Sequence, residues 1–217
     1  EVGGLQYVAG SGHTILHHLE IEANSEIHLT PAKQLTVSGV ILNHNSNRDI
    51  VLRSDENAMA SLIHQTPGVW GSFERFFSYP AGSFYMLSSP VEDQTIEPEF
   101  YRSGDLFYAW YEPLYSWVTY ENTFDFPTFL DANQNTEAFI SAAGYLVAYN
   151  NLDEGMNPKI FEGSFQQGEI SYVLSRKAHD YDPSPGYNLI GNPFPSAIDW
   201  LAEEGWSGKE HLVNGKM

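Results

Sequence analysis

The sequence predicts an all-β protein in which an N-terminal strand-repeat region, solenoid-like or a small sheet, leads into an antiparallel β-sandwich. Three observations predict this. Short apolar alternations recur from His13 to Phe77, separated by Asn, Ser, Gly, Asp and Pro. These residues favour turns through left-handed backbone, side-chain-to-backbone bonds or a fixed φ. Longer strand patterns rich in Phe, Tyr and Trp follow as far as Ser175. A single stretch carries helix start and stop signals.

The first elements are LEIE (Leu19, Ile21), IHL (Ile27, Leu29), LTV (Leu35, Val37) and IVLR (Ile50, Leu52). Each alternates as a half-buried strand must, because successive side chains point to opposite faces. Leu19, Ile27 and Leu35 lie about eight residues apart, which suits both a small antiparallel sheet and the rungs of a β-solenoid.

After Phe77 come SFYMLSSPV (Ser83 to Val91), DLFYAWYE (Asp105 to Glu112), SWVTYE (Ser116 to Glu121), GYLVAY (Gly144 to Tyr149), KIFEGSF (Lys159 to Phe165) and EISYVLS (Glu169 to Ser175). In the second, Phe107, Ala109 and Tyr111 alternate with Leu106, Tyr108 and Trp110, so both faces are bulky and the strand belongs between two layers. EPLY (Glu112 to Tyr115) and FQQGE (Phe165 to Glu169) read as turns. SAIDWLAEE (Ser196 to Glu204) reads as a short helix, opened by Ser196 after Pro195 and closed by Gly205. YPAG, at Tyr79 to Gly82, breaks the pattern. It divides a strand-repeat region, residues 1–80, from the sandwich, residues 81–217, or else is a turn inside one continuous domain.

The 217 residues hold 10 Lys+Arg against 28 Asp+Glu, for a formal net charge of −18, and no cysteine. That charge repels phosphate backbones, so nucleic acid is excluded as a partner. No run approaches the roughly 18 apolar residues of a membrane helix, so no membrane insertion of that kind is expected. Disulfides, thiolate metal sites and a cysteine nucleophile are all ruled out. With 42% hydrophobic residues the chain can bury a core, which distinguishes it from a disordered acidic tail.

Four kinds of site are candidates. Aromatic faces stack on sugar rings, and Trp117, Tyr115 and Tyr111, around the EPLYSW turn, are the expected glycan-binding set, with Trp110 and Trp200 assigned to the core. Calcium is the candidate cofactor, because hard cations take clustered carboxylate and carbonyl oxygens. Asp131, Asn133, Asn135 and Glu137 have the spacing that opens an EF-hand loop, but Thr136 and Ala142 replace its Gly and its last acid, leaving a non-EF oxygen cage. Asn150, Asn151, Asp153 and Glu154 are a second such cage. Ten acids between Glu92 and Glu137, with Arg102 the one base, supply Glu97, Glu99, Asp105 and Glu112 for a glycoside-cleaving pair, though no positional motif selects two of them. Six of the eight histidines lie in the first 64 residues without ligand spacing, and read as surface or turn residues, with His17 and His18 on opposite sides of a strand. No G-x-S-x-G elbow, phosphate loop or dinucleotide fingerprint is present.

The run from Leu35 to Ile63, followed by WGSFERFF, FYMLSSPV, AAGYLVAY, FEGSFQQGEISYVL and GYNLIGNPFPSAIDW, resembles a module of large Bacteroidota surface proteins exported by the type IX secretion system. The module's G-W-N-L-[IV]-G-N-P-[YF]-P-S signature is matched by Gly186 to Ser196, with Tyr187 in the Trp position. The resemblance implies an extracellular or cell-surface location, further domains of the same parent protein, and aromatic strands continuing past Met217. It transfers no catalytic residues. The NPFPS run itself reads as architecture: Asn192 and Pro193 begin a turn and Pro195 fixes φ. The expected function is therefore a non-catalytic extracellular module for adhesion or ligand binding, most concretely of glycans. A polysaccharide-active hydrolase using acids of residues 92–137 and a structural spacer are the alternatives.

Overall fold

A computed structural model of the chain describes residues 5–8, 12–45, 49–78, 82–150, 158–177, 186–199 and 202. Its strands are β1 (Leu5–Val8), β2 (His13–Leu16), β3 (Leu19–Ile21), β4 (Glu26–Leu29), β5 (Gln34–Val37), β6 (Ile41–Asn43), β7 (Ile50–Leu52), β8 (Ser61–Ile63), β9 (Trp70–Arg75), β10 (Phe84–Leu87), β11 (Leu106–Tyr111), β12 (Ser116–Thr119), β13 (Tyr145–Ala148) and β14 (Lys159–Ser164). One short helix, α1 (Phe129–Ala132), accompanies them. The protein is all-β.

The first half is a parallel solenoid. Strands β1, β4, β7 and β9 stack in parallel as one sheet, β2, β5 and β8 as a second, and β3 and β6 as a third. Leu5 lies opposite Glu26 and His13 opposite Gln34, 21 residues apart in the first rung, and the next rung lengthens to 23 residues from Ile27 to Ile50 and 27 from Leu35 to Leu62. Leu19, Ile27 and Leu35 sit on three different sheets, and their spacing measures one side of a three-sided rung. Like side chains then stack inward: Ile27 on Ile50, Leu29 on Leu52, Leu35 on Leu62. All six are buried. Each such burial contributes about 1.5–3 kcal/mol. Asn45 ties two corners together, its Nδ2 donating to the Glu22 and Ser25 carbonyls (3.0 Å each) while its Oδ1 accepts the Asn24 N–H (2.5 Å).

The second half continues the first without a gap. Strand β14 pairs antiparallel with β9, and a four-stranded antiparallel sheet, β10-β13-β11-β12, packs against this extended sheet. Phe161 of β14 stacks on Phe100 (4.2 Å between centroids), and Phe139 meets Phe161, Phe107 and Tyr145 edge-on (5.4, 5.7 and 5.1 Å). This aromatic layer joins the two sheets. The outer edge of β14 is closed by side chains, since the Ile160 and Glu162 N–H groups donate to Glu99 Oε1 (3.0 Å) and Gln94 Oε1 (2.8 Å).

The NPFPS run closes the last rung. The Leu62 N–H, on the free edge of β8, donates to the Pro195 carbonyl (2.8 Å), and Ser88 Oγ donates to the Asn192 carbonyl (2.6 Å). Gly191 rests on Ser88 so closely that a Cβ there would overlap the Ser88 side chain.

Three expectations are corrected. Ser196 to Asp199 are not helical, because Asn192 Nδ2 takes the Ser196 carbonyl (2.5 Å) that a first helical bond would need; residues 200, 201, 203 and 204 lie outside the described set. Glu169 to Ser175 join no ladder among the described residues: Asn188 holds Ser175 by accepting its N–H (3.0 Å) and donating to its carbonyl (2.8 Å), a side-chain pairing in place of a strand partner. His17 and His18 occupy a solenoid corner rather than a strand, so their rings sit side by side, 4.1 Å apart. Of the YPAG break, Tyr79 to Ala81 lie outside the described residues, while Gly82 turns with φ 82°.

Candidate functional site

Period-two alternation along β11 sends Phe107 and Ala109 inward, where they are buried with Val118, Tyr145 and Val147. Tyr108 and Trp110 therefore face outward. Trp110, expected in the core, lies directly opposite Trp117 on this outer face, with the indoles 5.2 Å apart edge to face. The face is only half covered, since no second sheet lies over it among the described residues. Tyr115 ends the 3₁₀ turn Glu112–Leu114 in left-handed backbone (φ 55°), which brings its ring to 5.3 Å from Trp110. Tyr187 stands 5.8 Å from Tyr115, and its carbonyl accepts the Trp110 Nε1–H (2.6 Å), anchoring the indole. The ridge goes on through Tyr108, 6.5 Å from Trp117, to Phe84. Trp117 is 40% exposed, Tyr115 37% and Tyr187 59%.

Tyr111 does not join them. The alternation places it on the opposite face, where its ring meets Phe126 (6.1 Å). There it helps to line a cleft of about 340 Å³, between the 3₁₀ turn, α1 and its following loop, and residues 172–175 and 188–189. Glu112, Asp131, Gln134, Tyr145 and Tyr172 line it too. Thr128 caps α1 and fixes Asp131, whose Oδ2 accepts from the Thr128 hydroxyl (2.7 Å) and N–H (2.9 Å). Those bonds hold the Asp131 carboxyl below the ordinary range, so it stays ionised. The buried Glu112 accepts the Lys177 N–H with both oxygens (2.9 and 3.1 Å). Tyr145 donates to Asn133 Oδ1 (2.6 Å) and accepts the Ile140 N–H (2.9 Å); burial pushes its phenol well up, and that of Tyr172 as well. Gly186 gives the 186–189 segment its close approach, since a Cβ would lie 2.8 Å from Glu112 Oε1 and 2.9 Å from the Ser175 carbonyl.

Two of the four calcium candidates are already engaged in hydrogen bonds within their own segment. Asn133 is buried and its amide is spent: Oδ1 accepts from Tyr145, while Nδ2 donates to the Thr136 and Ala138 carbonyls (2.6 and 2.9 Å). Asp131 is engaged by Thr128, and Asn135 and Glu137 are exposed on a turn. Among the described residues no group of three or more His, Asp or Glu side chains is placed to hold a metal. Asn151, Asp153 and Glu154 lie outside the described residues. Of the acids proposed for catalysis, Glu97, Glu99 and Asp105 share the neighbourhood of Tyr101, Tyr149 and Lys159, away from the cleft. Glu99 caps β14 and Asp105 accepts the Arg102 and Asn150 N–H groups (3.2 Å each), leaving Glu112 as the one member of that set in the cleft. Two histidines are interior rather than superficial. His28 bridges Glu26 (2.8 Å) and Arg53 (3.0 Å), and His64 is buried beside Phe165 with neither ring nitrogen hydrogen-bonded. Trp200 lies outside the described residues.

Sequence reasoning thus places Trp117 and Tyr115 together and misses Trp110 and Tyr187. The signal for both is the Gly186-Tyr187-Asn188 stretch, whose glycine and asparagine bring an aromatic residue back over β11. No curated protein matches the chain. No solved structure matches it either. The family described as "Domain of unknown function (DUF8693)" matches residues 5–204, and the chain belongs to that family.

Proposed function

We propose that the chain is a non-catalytic, glycan-binding module of a larger bacterial surface or secreted protein, acting outside the cell. The observation that carries this reading is the joined group Trp110, Trp117, Tyr115 and Tyr187 on one outer sheet face. A sugar ring offers a face of C–H bonds, which an aromatic ring covers at little entropic cost when the sheet already holds that ring in place. The export route is supported by the resemblance of Gly186 to Ser196 to modules of type IX secretion, and the parent protein's other domains are its partners. Binding without turnover is supported by the ionised Asp131, which cannot act as the proton donor, and by the backbone N–H groups that Glu99 and Asp105 already accept.

A glycan array followed by tryptophan-fluorescence titration tests the proposal. Trp117→Ala is expected to weaken binding at least ~10-fold, a difference of about 1.4 kcal/mol. A flat response of the unaltered protein across plant, algal and host polysaccharides would sink it. Release of reducing ends that disappears in Glu112→Gln would instead favour the hydrolase.

A further inference from the structure

We propose that the cleft beneath the Glu112–Leu114 turn is an end-on subsite that takes one uncharged sugar unit at the terminus of a glycan lying along the aromatic face, and refuses acidic sugars. The inference rests on the glycan-binding reading and adds a second site and a ligand class to it.

Size is the first argument. At about 340 Å³ the cleft stands at the small end of ligand sites, which run from roughly 300 to 1,000 Å³, so it admits a single ring and not a chain. The lining is the second. Tyr111 and Tyr172 supply aromatic wall and phenol hydroxyls, Tyr145, its hydroxyl held by Asn133 and Ile140, supplies wall alone, and Glu112, Asp131 and Gln134 supply oxygens and an amide for sugar hydroxyls. The two carboxylates are already oriented by the Lys177 N–H and by Thr128, and a positioned acceptor binds a hydroxyl without further ordering cost. Gln134 is held in left-handed backbone (φ 49°), a conformation that costs energy for a long side chain and tends to persist at ligand sites. Charge is the third. Among the described residues no Lys, Arg or His lines the cleft, so a uronate, sialate or sulfate would meet two carboxylates there. Position is the last: Trp110 is among the cleft-lining residues and also belongs to the aromatic face, so the two sites meet at the end of β11.

The test uses the full chain, neutral β-1,4-linked hexaoses of glucose, xylose and mannose, an oligogalacturonate of the same length, and the corresponding polymers. Tyr111→Phe with Tyr172→Phe removes two hydroxyls and keeps both rings. This double variant is expected to lose about 10-fold in affinity for the neutral hexaose that the unaltered protein binds, with under 2-fold change for the polymer. Trp117→Ala is expected to weaken the hexaose and the polymer alike, and the oligogalacturonate to bind the cleft in neither protein. If the double variant does not fold, Gln134→Asn, which shortens the side chain and tolerates the backbone, is expected to show the same selective loss. Unchanged hexaose affinity in these variants, equal binding of the acidic hexamer, or polymer binding with no hexaose binding each overturns the cleft and leaves the aromatic face standing. Absence of all sugar binding overturns both.

Discussion

His64 sits inside the solenoid at 5% exposure, edge-on to Phe165 at 6.3 Å, with neither ring nitrogen meeting a hydrogen-bond partner. Burial lowers its pKa below the ordinary 6.5, and the nearby Thr66 backbone opposes this in part. The sign follows directly. Below pH 6.5 the unfolded chain takes a proton that the folded chain refuses, so stability is full above that pH and falls as the solution is acidified towards the folded pKa. The slope is at most about 1.4 kcal/mol per pH unit, so acidification to pH 5 removes up to about 2 kcal/mol. For a chain of this size that is roughly 4–8 °C in Tm. His64→Leu abolishes the contribution and also frees the interior of two unpaired nitrogens, which adds about 1–3 kcal/mol at neutral pH. Denaturant unfolding of both proteins at pH 7.5 and pH 5.0 reads the two effects, with the remaining seven histidines and all the acids common to both. The difference between the proteins should widen at pH 5.0. Parallel stability curves would refute the reasoning, because they would mean that His64 is protonated in the fold as easily as out of it.

Two further outcomes follow from the same accounting. Asn133→Ala breaks three hydrogen bonds and leaves the Tyr145 hydroxyl and two carbonyls unsatisfied, so it should cost about 2–4 kcal/mol in chemical denaturation, against under about 0.5 for Asn135→Ala on the exposed turn. Glu137→Ala should leave any difference in Tm between millimolar calcium and chelator unchanged, because the amide oxygen of Asn133, its partner in the proposed cage, is spent on Tyr145; loss of a calcium-dependent rise in that variant would show that the loop does bind the ion.

Most strands are legible from alternation and turn residues, and β11, β12, β13 and β14 fall where the aromatic patterns stand. The choice between sheet and solenoid is not settled by the eight-residue spacing, because one side of a rung and one strand of a hairpin have the same length. It is settled by the longer interval, at which Leu29 meets Leu52 and Leu35 meets Leu62. Glu169 to Ser175 have strand composition, but a strand also needs a backbone partner, and the Ser175 N–H and carbonyl are taken by the Asn188 side chain. The candidate site divides similarly. Trp110 and Tyr111 differ by one position and so by a whole face, which alternation reports, but which face is covered depends on residues 186–189. Asn133 and Asp131 have a metal ligand's spacing and a turn's duties, and local sequence describes both equally well.

The clasp between the NPFPS run and the solenoid also sets the order of folding. Ser88 and Asn192 are 104 positions apart, and Leu62 waits still longer for Pro195. Contacts so distant form late, since the loop they close must first lose its freedom. Until then the β8 edge is an unpaired template on a chain whose first rungs can already be assembled, and β-edges in that condition recruit strands from other molecules. In the folded chain the Pro195 carbonyl occupies a β8 backbone donor that would otherwise be open to a strand of another molecule.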